Sequence, residues 1–290
     1  GYKLPVLQGV EFSYTLSEGT EINPEIIKDE NEFKAIVADK NKYYELGADL
    51  DLTKEGLNYA PIEFAGHLDG KGHNITIGLE YAADETAQYV GLFSQINDDY
   101  EIENINLHGT ITIDATLDST AAKSRVGSLA GAINGSGRIS DITSDVDISA
   151  KYTSHVGGII GYHESGTGSK VSYDNLTYNG TIISENGANA AGIIAVSLLN
   201  GKISNCVNNG NVSAKGTVAG ISGWGYSDIS NCYNTGDITA SESEAGGIFA
   251  RVNGTRIIEN CYNTGDVKSG VSVAGGIAAV ATNASSESVI

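Results

Sequence analysis

The sequence predicts an all-β fold, a parallel β-helix of about seven to eight coils with an N-terminal α-helical cap. A ten-residue segment recurs in the C-terminal third, as Ile203-Ser-Asn-Cys-Val-Asn-Asn-Gly-Asn-Val212, Ile229-Ser-Asn-Cys-Tyr-Asn-Thr-Gly-Asp-Ile238 and Ile258-Glu-Asn-Cys-Tyr-Asn-Thr-Gly-Asp-Val267. A second motif, of the form Gly-Ile-x-Gly, alternates with it over residues 91–279. Repeats of about 20 to 50 residues indicate units that bury a core only by stacking on their neighbours.

The second motif supplies two columns of equivalent residues. The first column is branched and apolar, and comprises Leu92, Leu129, Ile159, Ile193, Ile221, Ile248 and Ile277. The third is small, and comprises Ser94, Gly131, Gly161, Ala195, Gly223, Ala250 and Ala279. Residues two apart in a strand share a face, so both columns are predicted to face an interior in which successive coils lie ~4.8 Å apart.

The first repeat predicts three structural ladders. Cys206, Cys232 and Cys261 align with Ile105, Ile142 and Leu176, which favours buried free thiols over a disulfide or a metal site. Beside them runs a predicted hydrogen-bonding ladder that also satisfies turn backbone, formed by Asn104, Asp141, Asn175, Asn205, Asn231 and Asn260. A glycine column, interrupted by Val146, is expected at turns of positive φ: Gly109, Gly180, Gly210, Gly236 and Gly265.

The N-terminal part is less regular. Residues 1–27 form a lead-in, and residues 28–290 are expected to be the β-helix with its cap. Residues 28–38 are predicted to be a helix with Phe33, Ile36 and Val37 on one face, capped by Asp29 or Asn31.

Three aspartates in the N-terminal part could serve as calcium ligands, as catalytic groups or as turn residues. Asp49, Asp51 and Asp69 are interpreted as turn and strand-end residues rather than calcium ligands or catalytic groups.

At the C-terminal end, Ser288-Val-Ile290 resembles the start of a further repeat strand. The natural protein is therefore expected to continue past Ile290.

Charge restricts the choice of partner. The 290 residues include 36 Asp and Glu against 17 Lys and Arg, for a formal net charge of -19. Such a surface repels nucleic acid and anionic membranes, and no apolar run approaches the ~20 residues of a membrane span. No cofactor is expected, and the oligomeric state is left open.

One outward column carries the candidate binding residues. It comprises Gln95, Ala132, Tyr162, Val196, Trp224, Arg251 and Val280. Tyr162 and Trp224 lie two coils apart, or ~10 Å, a spacing that suits sugar rings or an apolar patch of a partner. Tyr233 and Tyr262 form a second outward pair. The alternative interpretation is that a loop such as 163–170 covers these aromatics, or that they shield strand edges.

The order of several motifs along the chain resembles that of a known protein family. A tyrosine-rich strand at 43–46 is followed by Ala-Asp-Leu-Asp-Leu, Phe-x-Gly-x-Leu-Asp-Gly-x-Gly-His-x-Ile, Tyr-Val-Gly-Leu-Phe and repeated Gly-Gly-Ile with Asn-Cys-Tyr-Asn-Thr-Gly-Asp. Over residues 28–280 this order resembles the GLUG-repeat family of bacterial cell-surface proteins. The resemblance implies a right-handed parallel β-helix of pectate-lyase-like architecture in secreted or wall-attached proteins, which include adhesins and large surface peptidases. It supplies no general catalytic residues.

Three functions follow as expectations. The first is a non-catalytic module, extracellular or at the cell surface, that acts in adhesion or binds a host glycan or protein. The second is a stiff spacer that presents another domain. The third, a polysaccharide-degrading enzyme, is disfavoured because on the aligned coils outward acids do not recur in neighbouring columns and no basic residue joins them.

Overall fold

The computed structural model describes residues 17–81, 89–114, 124–151, 153, 155–165 and 171–282. The chain winds into a parallel β-solenoid of about seven turns, which confirms the predicted fold class. Residues 166–170 of the predicted loop 163–170, the lead-in residues 1–16 and the terminal Ser288–Ile290 segment lie outside the described residues. Residues 163–165 of that predicted loop belong instead to the strand Ile160–Ser165. Glu25–Ile27, at the end of the predicted lead-in, pairs in parallel with Tyr44–Leu46.

Three strand ladders run along the solenoid. The first precedes the Gly-Ile-x-Gly motif and has seven strands: Tyr89–Val90, Arg125–Val126, His155–Gly157, Asn189–Ala191, Thr217–Ala219, Ala245–Gly246 and Ala274–Gly275. The second begins in the motif and comprises Ile62–Asp69, Phe93–Ile113, Ala130–Ser144, Ile160–Ser165, Ile194–Ser197, Ser222–Gly225, Phe249–Asn253 and Ala278–Thr282.

The third ladder is built by the ten-residue repeat. Before its asparagine it comprises Glu25–Ile27, Tyr43–Leu46, Ser172–Tyr178, Lys202–Ser204, Asp228–Ser230 and Ile258–Glu259. After the asparagine come Leu50–Asp51, Asn74–Tyr81, Val207–Asn208, Tyr233–Asn234 and Tyr262–Asn263, then Asp147–Ala150, Ile182–Ser184, Val212–Ala214, Ile238–Ala240 and Val267–Ser269. The strands Ile62–Asp69, Phe93–Ile113 and Ala130–Ser144 continue from the second ladder into the third.

The branched column of the motif faces the core as predicted. Its members from Leu92 to Ile248 are fully buried, and Ile277 packs partly buried against the same cluster. Buried apolar side chains from all three ladders form this one cluster along the axis. Their burial in stacked coils is the main source of stability, at ~25 cal/mol per Å² of apolar surface.

The prediction for the small column was wrong. Its members lie at the corner between the first and second ladders, where Ala250 packs with Ala191 and Ala219 in a cluster separate from the core. The chain bends at the motif, so the residue before the small one, such as Ile160, also turns inward. Small side chains are needed at this corner because a Cβ on Gly131 would lie 2.5 Å from the Val90 nitrogen.

The positive φ predicted for the glycine column occurs mainly in the asparagine ladder. The residues with positive φ are those of the ladder, between 53° and 58°: Asn104, Asp141, Asn175, Asn205, Asn231 and Asn260. In the glycine column Gly109 has a φ of 116°. Gly210 and Gly236 are required for close approach instead, because a Cβ on either would lie within 2 Å of a carbonyl oxygen of the preceding coil.

The ladder asparagines also bond along the axis. Asn260 Nδ2 donates to Asn231 Oδ1 at 3.2 Å, and Asn175 Nδ2 donates to Asp141 Oδ1 at 2.7 Å. Asn205 turns to Asp174 Oδ1, at 2.8 Å. The axial hydrogen bonding predicted for this ladder is therefore confirmed, with an aspartate rather than an asparagine as the acceptor in two of these three bonds.

A second asparagine ladder, which the sequence reading missed, runs inside the core. Asn208 Nδ2 donates to Asn234 Oδ1, and Asn234 Nδ2 donates to Asn263 Oδ1, both at 2.6 Å. Each amide also donates to the carbonyl of the glycine two residues later, as Asn234 does to Gly236 at 2.7 Å. Asn208 and Asn234 are fully buried, so these bonds satisfy both amide nitrogens and the Asn234 oxygen, whereas Asn208 Oδ1 accepts no hydrogen bond from any described residue.

The three cysteines are free thiols, as predicted. Cys206 and Cys232 are fully buried in the core, and Cys261 is half-buried in the last coil described. The backbone N–H of Cys206 donates to Cys232 Sγ at 3.3 Å, so the column is continuous between coils. A hydrogen bond with Cys206, together with burial, raises the pKa of the Cys232 thiol. This keeps the sulfur protonated and unreactive.

The predicted helix is shorter than its sequence pattern. It spans Glu30–Ala35, and Asp29 is the N-cap, since its Oδ1 accepts the N–H of Asn31 and of Glu32 at 2.9 Å. Phe33 enters the core at the N-terminal end of the solenoid. Val37 lies beyond the helix and is 51 % exposed, contrary to the prediction.

Glu30 ties this helix to the following turn and makes stability depend on pH. Its carboxylate accepts from Lys54 Nζ at 2.7 Å and from the Asp51 N–H at 2.9 Å, which lowers its pKa from 4.5 to about 2. A lowered carboxyl pKa contributes stability above the unfolded value that is lost as pH falls through the folded value. We expect Glu30→Gln to lower the free energy of unfolding at pH 7 by about 1.5–3 kcal/mol, and this deficit to shrink between pH 4.5 and 2.

Urea unfolding at several pH values measures the effect. Glu55→Gln, an exposed carboxylate in the neighbouring turn, is the control and should leave the curve unchanged. A deficit for Glu30→Gln that stays constant down to pH 2 would contradict the assignment.

Candidate functional site

The outward stripe predicted from the sequence is a register column. Strand pairing places equivalent positions of four successive coils at Tyr162, Val196, Trp224 and Arg251. Tyr162 is nevertheless only 8 % exposed, because the Arg125 guanidinium lies 3.7 Å above its ring centroid. Together with Val196 and the half-buried Trp224 it forms a small apolar cluster outside the core. The stripe therefore packs mainly against itself.

Arg251 is likewise held within the protein. Its guanidinium donates to a Glu244 carboxylate oxygen, and the other oxygen accepts from Thr217 Oγ1 at 3.0 Å. Burial would raise the pKa of Glu244, but hydrogen bonds from Ser243 and Arg251 outweigh it and lower that pKa to about 2. Arg251 thus has a charged partner of its own at neutral pH.

Tyr233 and Tyr262 do form the predicted outward pair. Their rings stack in parallel, with centroids 4.9 Å apart and planes 3° from parallel. Tyr262 is 51 % exposed. Each ring covers one face of the other, so the pair presents its edges and one outer face to solvent.

A mixed acidic cleft, which the sequence reading missed, lies on the third ladder near the N-terminal end. Two outward columns two residues apart form its walls. One column comprises Tyr43, His67, Glu101 and Arg138, and the other comprises Glu45, Asp69, Glu103 and Ser140. We call this surface the acidic cleft. The expectation that outward acids do not recur in neighbouring columns was made for the aligned coils and did not include Glu45 and Asp69, whereas in the cleft acids recur on three successive coils and Lys71 and Arg138 join them.

The cleft has measurable depth. A cavity of about 200 Å³ lies between the columns and is bounded by Glu21 and Pro24 at one end. A second cavity of about 270 Å³ adjoins it, shares His67 and Glu101 with the first, and reaches Arg138. The two cavities together follow the solenoid axis over several coils.

Aromatic stacking and ion pairs fix the cleft walls. The Tyr43 and His67 rings stack with centroids 4.0 Å apart and planes 4° from parallel. Arg138 lies 3.6 Å from carboxylate oxygens of both Glu101 and Glu103. Lys71 Nζ lies 2.8 Å from Glu45 and from Asp69. The walls are thus preorganised without being neutralised, since acids outnumber bases.

Two neighbouring carboxyls of the cleft differ in proton affinity. Burial, and then the charges of Asp69 and Glu101, raise the pKa of Glu103. Burial alone would raise the pKa of Asp69, but hydrogen bonds from Lys71 and Asn104 outweigh it and lower that pKa. Paired carboxyls with opposite shifts are the arrangement by which enzymes separate a proton donor from an ionised carboxylate.

The acids singled out in the sequence do act in turns. Asp49 accepts from the Asn74 N–H and Asp51 from the Thr53 N–H, at 2.9 and 3.0 Å. Asp69 accepts from the Lys71 N–H at 2.8 Å, so it has a turn role in addition to its place in the cleft. Within the residues that the structure describes, no group of three or more His, Cys, Asp or Glu is arranged to hold a metal ion, and no helix has the length and apolar character to cross a membrane.

Comparison with known proteins supports the fold. No family model matches the chain, so the similarity to the GLUG-repeat family depends on the motifs alone. A search of curated proteins also found no match. Among solved structures the chain is similar to one from Bacteroides ovatus described as "a putative immunoglobulin A1 protease", with a TM-score of 0.60 and 20 % identity over 91 % of this chain and 85 % of that one. Identity at this level shows the β-solenoid fold that the two chains share.

Proposed function

We propose that the protein is a glycan-binding module of a bacterial cell-surface protein, and that the acidic cleft is its binding site. One observation carries the proposal. Three coils in succession present Glu45, Asp69 and Glu103 in one column, beside the stacked Tyr43 and His67, around a cavity of about 200 Å³. The cell-surface location rests on the resemblance of the repeats to GLUG proteins.

The chemistry of the walls defines the ligand class. Carboxylates accept hydrogen bonds and are the natural partners of sugar hydroxyls and of ammonium groups. The net charge of -19 disfavours uronic-acid and sulfated polysaccharides. A glycan that lacks acidic groups and contains free amino sugars, whose protonated amines pair with carboxylates, fits both constraints, and the axial direction of the cleft suits a linear chain.

The cleft replaces the aromatic stripe as the main site because the stripe is occupied internally. Tyr162 is covered by Arg125, and Arg251 is paired with Glu244. Trp224 remains half exposed and is tested below as the competing site. The alternative is that the protein is a stiff spacer that binds no ligand. The binding experiment must distinguish this function from binding at the acidic cleft or at Trp224.

Titration calorimetry with glucosamine hexasaccharide tests the proposal, after a glycan array has established class selectivity. We expect the double variant Glu45→Gln/Glu101→Gln to bind at least about 10-fold more weakly, since each charge-assisted hydrogen bond contributes about 1.5–3 kcal/mol. These two residues line the cavity but leave Asp69 and Glu103 in place.

Two control variants show whether a loss of binding is specific to the cleft. Glu259→Gln changes an exposed acid at the end of a strand of the same ladder, far from the cleft, and should bind as the parent does. Trp224→Ala should also bind normally. If Trp224→Ala alone loses binding, the stripe is the site, and if the array is blank for the parent protein, the spacer function is favoured.

A further inference from the structure

We propose that the strand Asn74–Tyr81 binds an extended, basic peptide segment of a partner protein along the edge that faces the N-terminal end of the solenoid. The bound segment adds to the third ladder as a parallel strand. This surface is separate from the acidic cleft, because the residues that line the two surfaces are different.

The first coil covers only the beginning of this edge. Its strand Leu50–Asp51 pairs with Ile75 and Thr76 and with no later residue of Asn74–Tyr81. The last backbone hydrogen bond between the two segments runs from the Leu52 N–H to the Thr76 carbonyl, at 2.9 Å. The second half of Asn74–Tyr81 therefore pairs on its other side only, with the strand Phe93–Ile113.

A tight turn stops the strand of the first coil from continuing. The Asp51 carboxylate accepts the Thr53 N–H at 3.0 Å, which bends the chain directly after the strand. The Leu57 N–H then donates to the Lys54 carbonyl at 3.1 Å and closes the following turn. The chain leaves the ladder here, and no described strand lies on this side of residues 77–81.

Unpaired backbone groups face the position that the chain leaves. On this side the Asn74 N–H donates to Asp49 Oδ1 at 2.9 Å, and the Thr76 carbonyl accepts the last ladder bond. Alternate residues of a strand direct their backbone groups to the same side, so the N–H and C=O of Gly78 and Glu80 also point there. No described residue pairs with them. Such an edge is a template for another strand.

A groove runs beside this edge. Two cavities of about 350 and 490 Å³ adjoin each other and share Tyr59, Gly78 and Glu80. The Tyr59 hydroxyl donates to the Leu92 carbonyl, which fixes the aromatic side chain in the groove wall. Peptides that bind by strand addition use a groove of this kind, where main-chain hydrogen bonds provide affinity and the walls provide specificity.

The charges in the groove favour a basic segment. Glu55 and Glu80 line the larger cavity, are exposed, and form no ion pair with any described residue. The cation beside them, Lys54, is already bound to Glu30 at 2.7 Å. Opposite charges on neighbouring strands stabilise their pairing, and the net charge of -19 attracts a basic partner. The partner segment therefore has lysine or arginine at alternate positions.

Titration calorimetry with a blocked seven-residue peptide, in which lysine and valine alternate, tests the proposal. We expect Glu80→Gln to bind it about threefold more weakly, because one charge is lost. Glu80→Pro should bind it at least about 10-fold more weakly, because it also lacks the N–H. Proline is tolerated on a strand edge where the N–H makes no ladder bond, and circular dichroism establishes that the variant is folded. The distant Glu259→Gln should bind as the parent does.

Amide exchange followed by NMR shows whether the edge itself is the site. The Gly78 and Glu80 amides should exchange rapidly in the free protein and at least about 10-fold more slowly with the peptide bound. Protection of both amides in the free protein would mean that another segment of this chain covers the edge, which overturns the proposal.

Two further results would also overturn it. One is a parent protein that does not bind the peptide, or that binds it no better than Glu80→Pro does. The other is equal binding of a peptide with glutamate in place of lysine, which would contradict the selection of a basic partner.

Discussion

Replacing Asn234 with alanine is expected to lower the free energy of unfolding by about 2–5 kcal/mol. The side chain is fully buried at the centre of the interior asparagine ladder. Its removal leaves one of the two N–H groups of Asn208 Nδ2 without an acceptor, the other still donating to the Gly210 carbonyl, and it leaves Asn263 Oδ1 without a donor. Each buried polar group that loses its partner costs about 1–3 kcal/mol, and the missing amide also leaves a cavity.

Urea unfolding followed by circular dichroism measures this loss. Thr235→Ala is the matched control, because Thr235 is the next residue and is exposed, with its hydroxyl donating to Asn209 at the surface. We expect a change within ~0.5 kcal/mol for the control. Equal changes for the two variants would show that the interior ladder is energetically unimportant.

Gly236→Ala is expected to be at least as damaging, with a loss of about 3 kcal/mol or more. A Cβ at this position would lie 1.9 Å from the carbonyl oxygen of Gly210 in the preceding coil. Backbone cannot move aside as a flexible side chain can, so the two coils must separate locally. Overpacking of this kind breaks the strand pairing that holds the coils in contact.

Gly276→Ala provides the contrast for this experiment. Gly276 also belongs to a repeated glycine column, but a Cβ there meets no atom of the described residues within 4 Å. Its melting temperature should stay close to that of the parent. A parent-like melting temperature for Gly236→Ala would mean that the coils are further apart than the structure places them.

The fold was predictable because its repeat is visible in the residues themselves. Register follows directly from alignment: Ile203, Ile229 and Ile258 are strand partners, as are Tyr233 and Tyr262. Side chains of one inward column meet the same environment in every coil, so each inward column keeps one chemical character. The burial of the leucine and isoleucine column, and of the first two cysteines, could therefore be predicted without knowing the conformation of the loops.

The alignment did not predict the direction of side chains at the bends between strands. Alternation of side chains fails where the chain turns, which is why Ala250 and Gly131 were assigned to the wrong side. Glycine has two uses, positive φ and close approach, and composition alone does not separate them. The interior ladder was detectable from alternation, since Asn208 lies two residues after the inward Cys206.

The acidic cleft was missed for a different reason. Glu45 and Asp69 lie in the first coils, whose sequences do not match the repeat, so they were never aligned with Glu103. Covering of the stripe by Arg125 was also invisible, because Arg125 and Tyr162 lie in different ladders and 37 positions apart in the chain. Both features are contacts between segments that the repeat does not relate.

The interior ladder allows a solenoid of this kind to gain or lose coils during evolution. Asn208 fills the space above Gly192, Asn234 that above Gly220 and Asn263 that above Gly247, each pair within one coil. Donor and acceptor face the same way in every coil, so any one of these coils can bond to any other. A gene segment that encodes one whole coil, with its glycine and its asparagine, is thus a unit whose duplication or deletion preserves the interior ladder.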